Sequence, residues 1–123
     1  MRFNPDMPGL LKVLREDEEK VFRVLLNGEV ATNDLVRSMR NKADGLSRGD
    51  VTRILNRLKE MGVAEREDDY TMGPLREIWR ATMDESGFRR MMSRRILRSL
   101  LDDWPEAMDE AREMTKGAER VEH

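Results

Sequence analysis

The chain has 123 residues, 39% charged and 5% aromatic, with a formal net charge of −2, ten methionines, no cysteine and a single histidine, His123. That length supports one modest core of Leu, Val, Ile and Met, while the missing cysteines exclude disulfides, thiolate chemistry and cysteine-rich zinc sites, and the lone histidine all but excludes a histidine-based metal or catalytic centre. No run of about 18 apolar residues offers a membrane span, and "MRFNPDMPG" lacks the apolar region of a signal peptide, so a soluble cytoplasmic protein is expected.

The average charge hides alternating blocks. Residues 31–60 carry seven Lys/Arg against four Asp/Glu, and residues 61–85 carry three against seven. Residues 86–101 carry five arginines and no acid, and residues 102–123 carry three basic against eight acidic residues. Local potential, rather than total charge, steers a polyanion. The two basic blocks are therefore where a nucleic-acid contact would sit.

In chain order, Pro8 is placed to open a short helix with Leu10, Leu11, Val13 and Leu14 as its apolar side. In "EDEEKVFRVLLNGE" the acids Glu16 to Glu19 fall in a first helical turn, where the helix dipole favours them. Val21, Phe22, Val24, Leu25 and Leu26 form the apolar stripe, and Asn27-Gly28 signals a C-cap. Val30-Ala31 reads as a short extended link. Thr32 reads as the N-cap of the next helix, "NDLVRSMRN", with Leu35, Val36 and Met39 facing inward.

The segment "LSRGDVTRILNRLKEMG" predicts a third helix. Ser47 caps it, with Asp50 three residues on in a variant of the capping box. Val51, Ile54, Leu55, Leu58 and Met61 recur on one face of a 3.6-residue period, and Gly62 ends the helix. The period then changes. "VAERE" and "REIWRAT" alternate around the turn-rich "DDYTMGPL", which predicts a β-hairpin anchored by Trp79; "LREIWRATM" can also be written as a helical turn. After Asp84, "ESGFRRMMSRRILRSLLDDW" predicts a long helix, and Pro105 opens a last one, "PEAMDEAREM". From Thr115 onward the polar end reads as frayed.

Helix, helix, capped helix and charged hairpin is the order of a winged helix-turn-helix. "GEVATNDLVRSM" is similar to the second helix of such domains, and "LSRGDVTRILNRLKEMGVAERE" resembles their recognition helix running into the wing. The Ser cap, Val-Thr-Arg, the "RL" pair and the later Gly and Glu-Arg resemble regulators of the multiple-antibiotic-resistance (MarR), penicillinase-repressor and archaeal sugar-regulator types. "YTMGPLREIWRAT" resembles the wing of the archaeal members. The likeness covers residues 17 to 83.

The fold class so implied is mainly α with a small β-hairpin: a winged helix-turn-helix over residues 16–83, preceded by an N-terminal helix (1–15). C-terminal dimerisation helices (84–115) and a flexible tail (116–123) follow it. The function implied is that of a homodimeric, sequence-specific regulator of transcription that binds double-stranded DNA with helix 47–61 in the major groove. The alternative is a winged-helix protein-interaction module in a transcription or replication assembly. No enzymatic activity, cofactor or metal is expected, because no catalytic histidine, cysteine, Gly-rich phosphate loop or carboxylate pair in an apolar setting is present. A small-molecule effector between the helices stays open.

The residues pointing away from the core of the third helix are Gly49, Thr52, Arg53, Asn56 and Glu60, flanked by Arg48 and Arg57. Arginine suits guanine O6/N7, asparagine suits adenine N6/N7, and threonine suits a thymine methyl or a phosphate. Ser47 and the free N–H groups behind it suit a phosphate, and Gly49 removes a side chain where the helix would approach the duplex. Arg37, Arg40 and Lys42, on or just after the preceding helix, are expected on the DNA backbone. Arg66 and Arg76 are wing candidates, although the acids around them read equally well as a wing held away from phosphates. The arginines of residues 89–98 read as further backbone contacts or, preferably, as partners of the acidic segment 102–113, within the chain or between subunits. The broad apolar arc of the same helix calls for a second surface, which a two-fold copy or the N-terminal helix would supply.

Overall fold

The structure is a computed structural model that describes residues 2–40, 45–71 and 73–122, with side chains as far as Lys116. Helix α1 (Glu16–Leu26) starts where the acidic run meets the positive end of the helix dipole and stops at its C-cap, Asn27. Its face of Val21, Phe22 and Leu25 is buried, and the Phe22 ring meets Phe88 with centroids 4.9 Å apart. Helix α2 (Thr32–Arg40) buries Leu35, Val36 and Met39, and α3 (Arg48–Glu60) buries Val51, Ile54, Leu55 and Leu58. These are the positions the helical period selects. Burial stabilises each such side chain by about 1.5–3 kcal/mol relative to exposure, which holds the outward faces of α2 and α3 on a rigid base. Gly62 ends α3 at φ +81°, a conformation that favours glycine.

The predicted hairpin is present but belongs to a three-stranded antiparallel sheet. Strands β1 (Val30–Ala31), β2 (Ala64–Asp69) and β3 (Arg76–Ala81) lie in the order β1-β3-β2. The pair Val30-Ala31, expected as a link, aligns with Trp79 and Ile78 and covers the free edge of β3. Trp79 is the buried anchor that the alternation predicts, and its indole N–H donates to the Thr32 hydroxyl at 2.9 Å. Thr32 in turn donates to the Glu77 carboxylate at 3.1 Å. Thr32 is thus the first residue of α2 and a bridge to β3, where the sequence suggests an N-cap. Strand β2 ends at Asp69 and β3 begins at Arg76.

The N-terminal helix is reduced to a single 3₁₀ turn, Gly9–Lys12, with Leu10, Val13 and Leu14 all buried. Helix α4 spans Glu85–Asp103, begun by Asp84, whose carboxylate accepts from Gly87 N–H at 2.7 Å. Helix α5 spans Pro105–Glu122, so helical backbone continues past Met114, where the sequence suggests fraying. Bonds from Trp104 N–H to Leu100 O (2.7 Å) and from Met108 N–H to Trp104 O (3.0 Å) carry the i→i−4 pattern across Pro105. Trp104 thus closes α4 with its N–H and opens α5 with its carbonyl, and among the described residues no ion pair joins Arg94, Arg95 or Arg98 to the acidic segment 102–113. The chain divides into two compact units, Met1–Phe88 and Arg89–His123. The division falls inside α4, whereas the sequence pattern places it after Met83. The first unit carries the three helices and small sheet of a winged helix-turn-helix.

Candidate nucleic-acid interface

The site is built from the N-terminus of α3 outward. Ser47 Oγ accepts from Asp50 N–H at 3.1 Å, while Asp50 Oδ2 accepts from Ser47 N–H at 3.1 Å and from the Ser47 hydroxyl at 2.8 Å. The capping box read from the sequence is therefore formed, with Asp in the usual place of Glu or Gln. The Ser47 hydroxyl, followed by its N–H, holds the Asp50 carboxyl below the usual carboxylate range. Ser47 is exposed, but its hydroxyl proton is directed to Asp50 rather than outward.

Beyond the cap, Arg48, Gly49, Thr52, Arg53, Asn56 and Glu60 are exposed, opposite the buried face. A Cβ on Gly49 would meet only the Ser47 hydroxyl, at 3.8 Å, so nothing inside the protein requires glycine there. Arg53 reaches back to within 3.6 Å of Asp50 across one turn, an exposed pair of small energetic weight.

Arg57 departs from the expected pattern. Its Nε lies 2.6 Å from Oε2 of Glu18, whose side chain is only 2% exposed. The two meet as an ion pair rather than an aligned hydrogen bond. The other oxygen of Glu18 accepts from Arg15 N–H at 2.8 Å at the start of α1. Arg57 therefore ties α3 to α1 and is withdrawn from the outward face.

Three other arginines converge. Arg37 from α2, Arg48 from α3 and Arg76 from β3 line an open, polar cleft of about 370 Å³ together with Asn33, Asp34 and Glu77. Arg48 donates to Asn33 Oδ1 at 2.7 Å, and Arg37 and Arg76 each stand 3.6 Å from one oxygen of Asp34. The helices and the wing thus present one basic-edged recess with a carboxylate between two of its arginines. Arg40 is exposed at the end of α2, and Lys42 lies outside the described residues.

The wing neutralises much of its own acid. Arg66 pairs with Asp68 at 3.3 Å and Glu77 at 3.7 Å, which directs it along the sheet. Arg80 meets Glu29, Glu65 and Glu67. The carboxyl of Asp69 is held low by the Thr71 hydroxyl and N–H, with Arg76 adding a smaller effect. Sequence reasoning missed Glu18, Asn33 and Asp34 as partners of the candidate arginines. For Glu18 a signal existed: it stands at i in the buried stripe 18, 21, 22, 25. For Asn33 and Asp34 none did, since their pairing depends on where α2 meets α3 and β3. Among the described residues no group of three or more His, Asp or Glu side chains is placed to hold a metal ion.

No protein-family model matches the chain, and no curated protein sequence matches it significantly. Solved structures do. A candidate transcriptional regulator from Methanosarcina mazei Go1 superposes with TM-score 0.59 at 20% identity, covering 79% of this chain and 78% of that one. The reduced form of the transcriptional regulator YodB from B. subtilis gives TM-score 0.51 at 14% identity, covering 76% and 84%. The candidate regulator TA0346 from Thermoplasma acidophilum gives TM-score 0.51 at 18% identity, covering 69% and 89%. The likeness establishes the fold: the chain shares with these three regulators the winged helix-turn-helix built above from its own residues.

Proposed function

We propose that the chain is a sequence-reading, double-stranded DNA-binding transcriptional regulator that acts as a homodimer through its C-terminal helices. The observation that carries this reading is the exposed face of Thr52, Arg53 and Asn56 on a capped helix whose opposite side is wholly buried. The donors on that face match base edges in the major groove. Gly49 leaves the N-terminal turn of α3 bare for close approach, and Arg37, Arg48 and Arg76 stand together where backbone phosphates would pass. Arg57, whose partner Glu18 is buried, is set apart from this contact set, and Arg66, paired only with exposed acids, stays a wing candidate. Leu10 and Leu14 are buried in the first unit, so these two side chains pack on its core rather than on a second copy. The fold shared with proteins described as transcriptional regulators supports the same reading.

The test is fluorescence anisotropy with a duplex from upstream of the chain's own gene and a scrambled duplex, each at several salt concentrations. Preference for the upstream duplex with a steep salt slope is the expected result. Arg53→Ala is expected to weaken specific binding by about 1–3 kcal/mol with little change in folding. Equal losses on specific and scrambled DNA would reduce Arg53 to a phosphate contact. One observation favours the second reading, a protein-interaction module: residues 64–81 carry five carboxylates against three arginines, so the wing stays net acidic with its ion pairs formed. Absence of duplex binding at low salt would select it.

A further inference from the structure

Two arginines of α3, four residues apart, face two different kinds of carboxylate. Arg53 stands 3.6 Å from Asp50, and both side chains are about half exposed. Water already competes for that pair, so a phosphate can displace it at little cost. Arg57 Nε stands 2.6 Å from Oε2 of Glu18, whose side chain is buried. That nitrogen is itself buried and makes no aligned hydrogen bond, so the pair is held by opposite charge in a poorly hydrated place. Glu18 is fixed from its other side as well. Its second oxygen accepts from Arg15 N–H at 2.8 Å, and Val21, Phe22 and Leu25 are buried along the same stripe of α1. An Arg57 that left would strand the enclosed carboxyl without its partner, which costs far more than breaking an exposed pair.

By backbone position Arg57 belongs beside Arg53, only about 40° round the helix from it. A cation on that flank adds to the attraction of a duplex whatever its sequence. We infer that Glu18 is a positioning residue for the DNA contact: by holding Arg57 against α1 it keeps that guanidinium out of phosphate reach. It thereby fixes how many α3 arginines meet the DNA backbone and how tightly any duplex is held. This rests on the DNA-binding reading proposed above and adds to it a buried residue of α1 that touches no DNA itself. A carboxylate suits the task because its two oxygens serve two donors, Arg15 N–H and Arg57. An amide in its place has one acceptor oxygen and no charge, so it can keep Arg15 N–H but loses its hold on Arg57. Once freed, Arg57 has Glu60 as the nearest acid along its own helix, an exposed residue whose pairing a phosphate readily displaces.

Salt-dependent fluorescence anisotropy on the upstream and scrambled duplexes tests it. The wild type is compared with Glu18→Gln and with the double variant Glu18→Gln/Arg57→Ala, each first shown by circular dichroism to be folded at the assay temperature. Glu18→Gln is expected to bind both duplexes more tightly at low salt. Its log–log salt slope should be steeper by about 0.9 per chain bound, the value for one added phosphate contact. The double variant should return to the wild-type slope, which a general loosening of the fold would not produce. Should Glu18→Gln prove unfolded, Glu18→Met, apolar and of similar length, carries the same expectations. A Glu18→Gln slope equal to that of the wild type would mean that Arg57 stays out of reach without the carboxylate. A double variant with a shallower slope than the wild type would mean that Arg57 meets phosphate even in its presence. Either result, with a wild type that still prefers the upstream duplex, overturns the inference and leaves the regulator reading standing. A wild type that binds neither duplex at low salt would sink both.

Discussion

Arg57 and Arg53 are one turn apart on the same helix and have opposite fates, because only Arg57 lies over a buried carboxylate. Removing Arg57 leaves the Glu18 carboxyl enclosed without its ion-pair partner. Arg57→Ala is therefore expected to destabilise the fold by about 3 kcal/mol, the low end for a broken buried pair because the arginine head is partly in water. Adding Glu18→Gln should recover much of that loss while keeping an acceptor for Arg15 N–H. Urea denaturation of the two variants would check it, and equal stabilities would mean that the pair carries little. The sequence shows the outward angle of Arg57 but not its reach: a guanidinium on a long stem can turn off its own face towards a partner on another helix. The charge of Glu18 hides its place among Val21, Phe22 and Leu25, where only its position in the stripe marks it as buried.

At the level of elements, the strongest periodicities were the most legible. The limits of α1, the cap at Ser47, the end at Gly62 and the anchor at Trp79 all follow from local chemistry. Strand β1 was not legible, since two residues show no alternation and their pairing with β3 depends on a segment almost fifty residues away. The capping box also sets a pH dependence. Ser47 holds the carboxyl of Asp50 below its unfolded range, so the stabilisation is complete above about pH 4 and is lost as pH falls through the lowered folded value. Ser47→Ala should lower Tm by a few degrees at neutral pH. That gap should narrow at about pH 3, as followed by circular dichroism. A gap that stays constant or widens in acid would show that the carboxylate does not stabilise the start of α3.

At the scale of the whole molecule, the charge blocks of the sequence map onto separate places: a recess edged by Arg37, Arg48 and Arg76, a wing whose acids are largely matched, and C-terminal helices with a basic α4 and an acidic α5. If the C-terminal helices join two copies, as proposed, their recognition helices should meet half-sites about 34–36 Å, or 10–10.5 base pairs, apart. Inserting about five base pairs between half-sites turns one of them to the opposite face of the duplex and should abolish two-site binding in a gel-shift assay. Retained affinity would argue for a chain that docks one half-site at a time. The carboxylate of Asp34, standing between Arg37 and Arg76, has a consequence for how such a protein would search a genome. On random duplex those two arginines must loosen an existing attraction before each phosphate contact, and Asp34 then repels the backbone it is left facing. The operator carries the same cost, so Asp34 would shorten the stay on every duplex and leave the preference among sites to the base-facing side chains of α3.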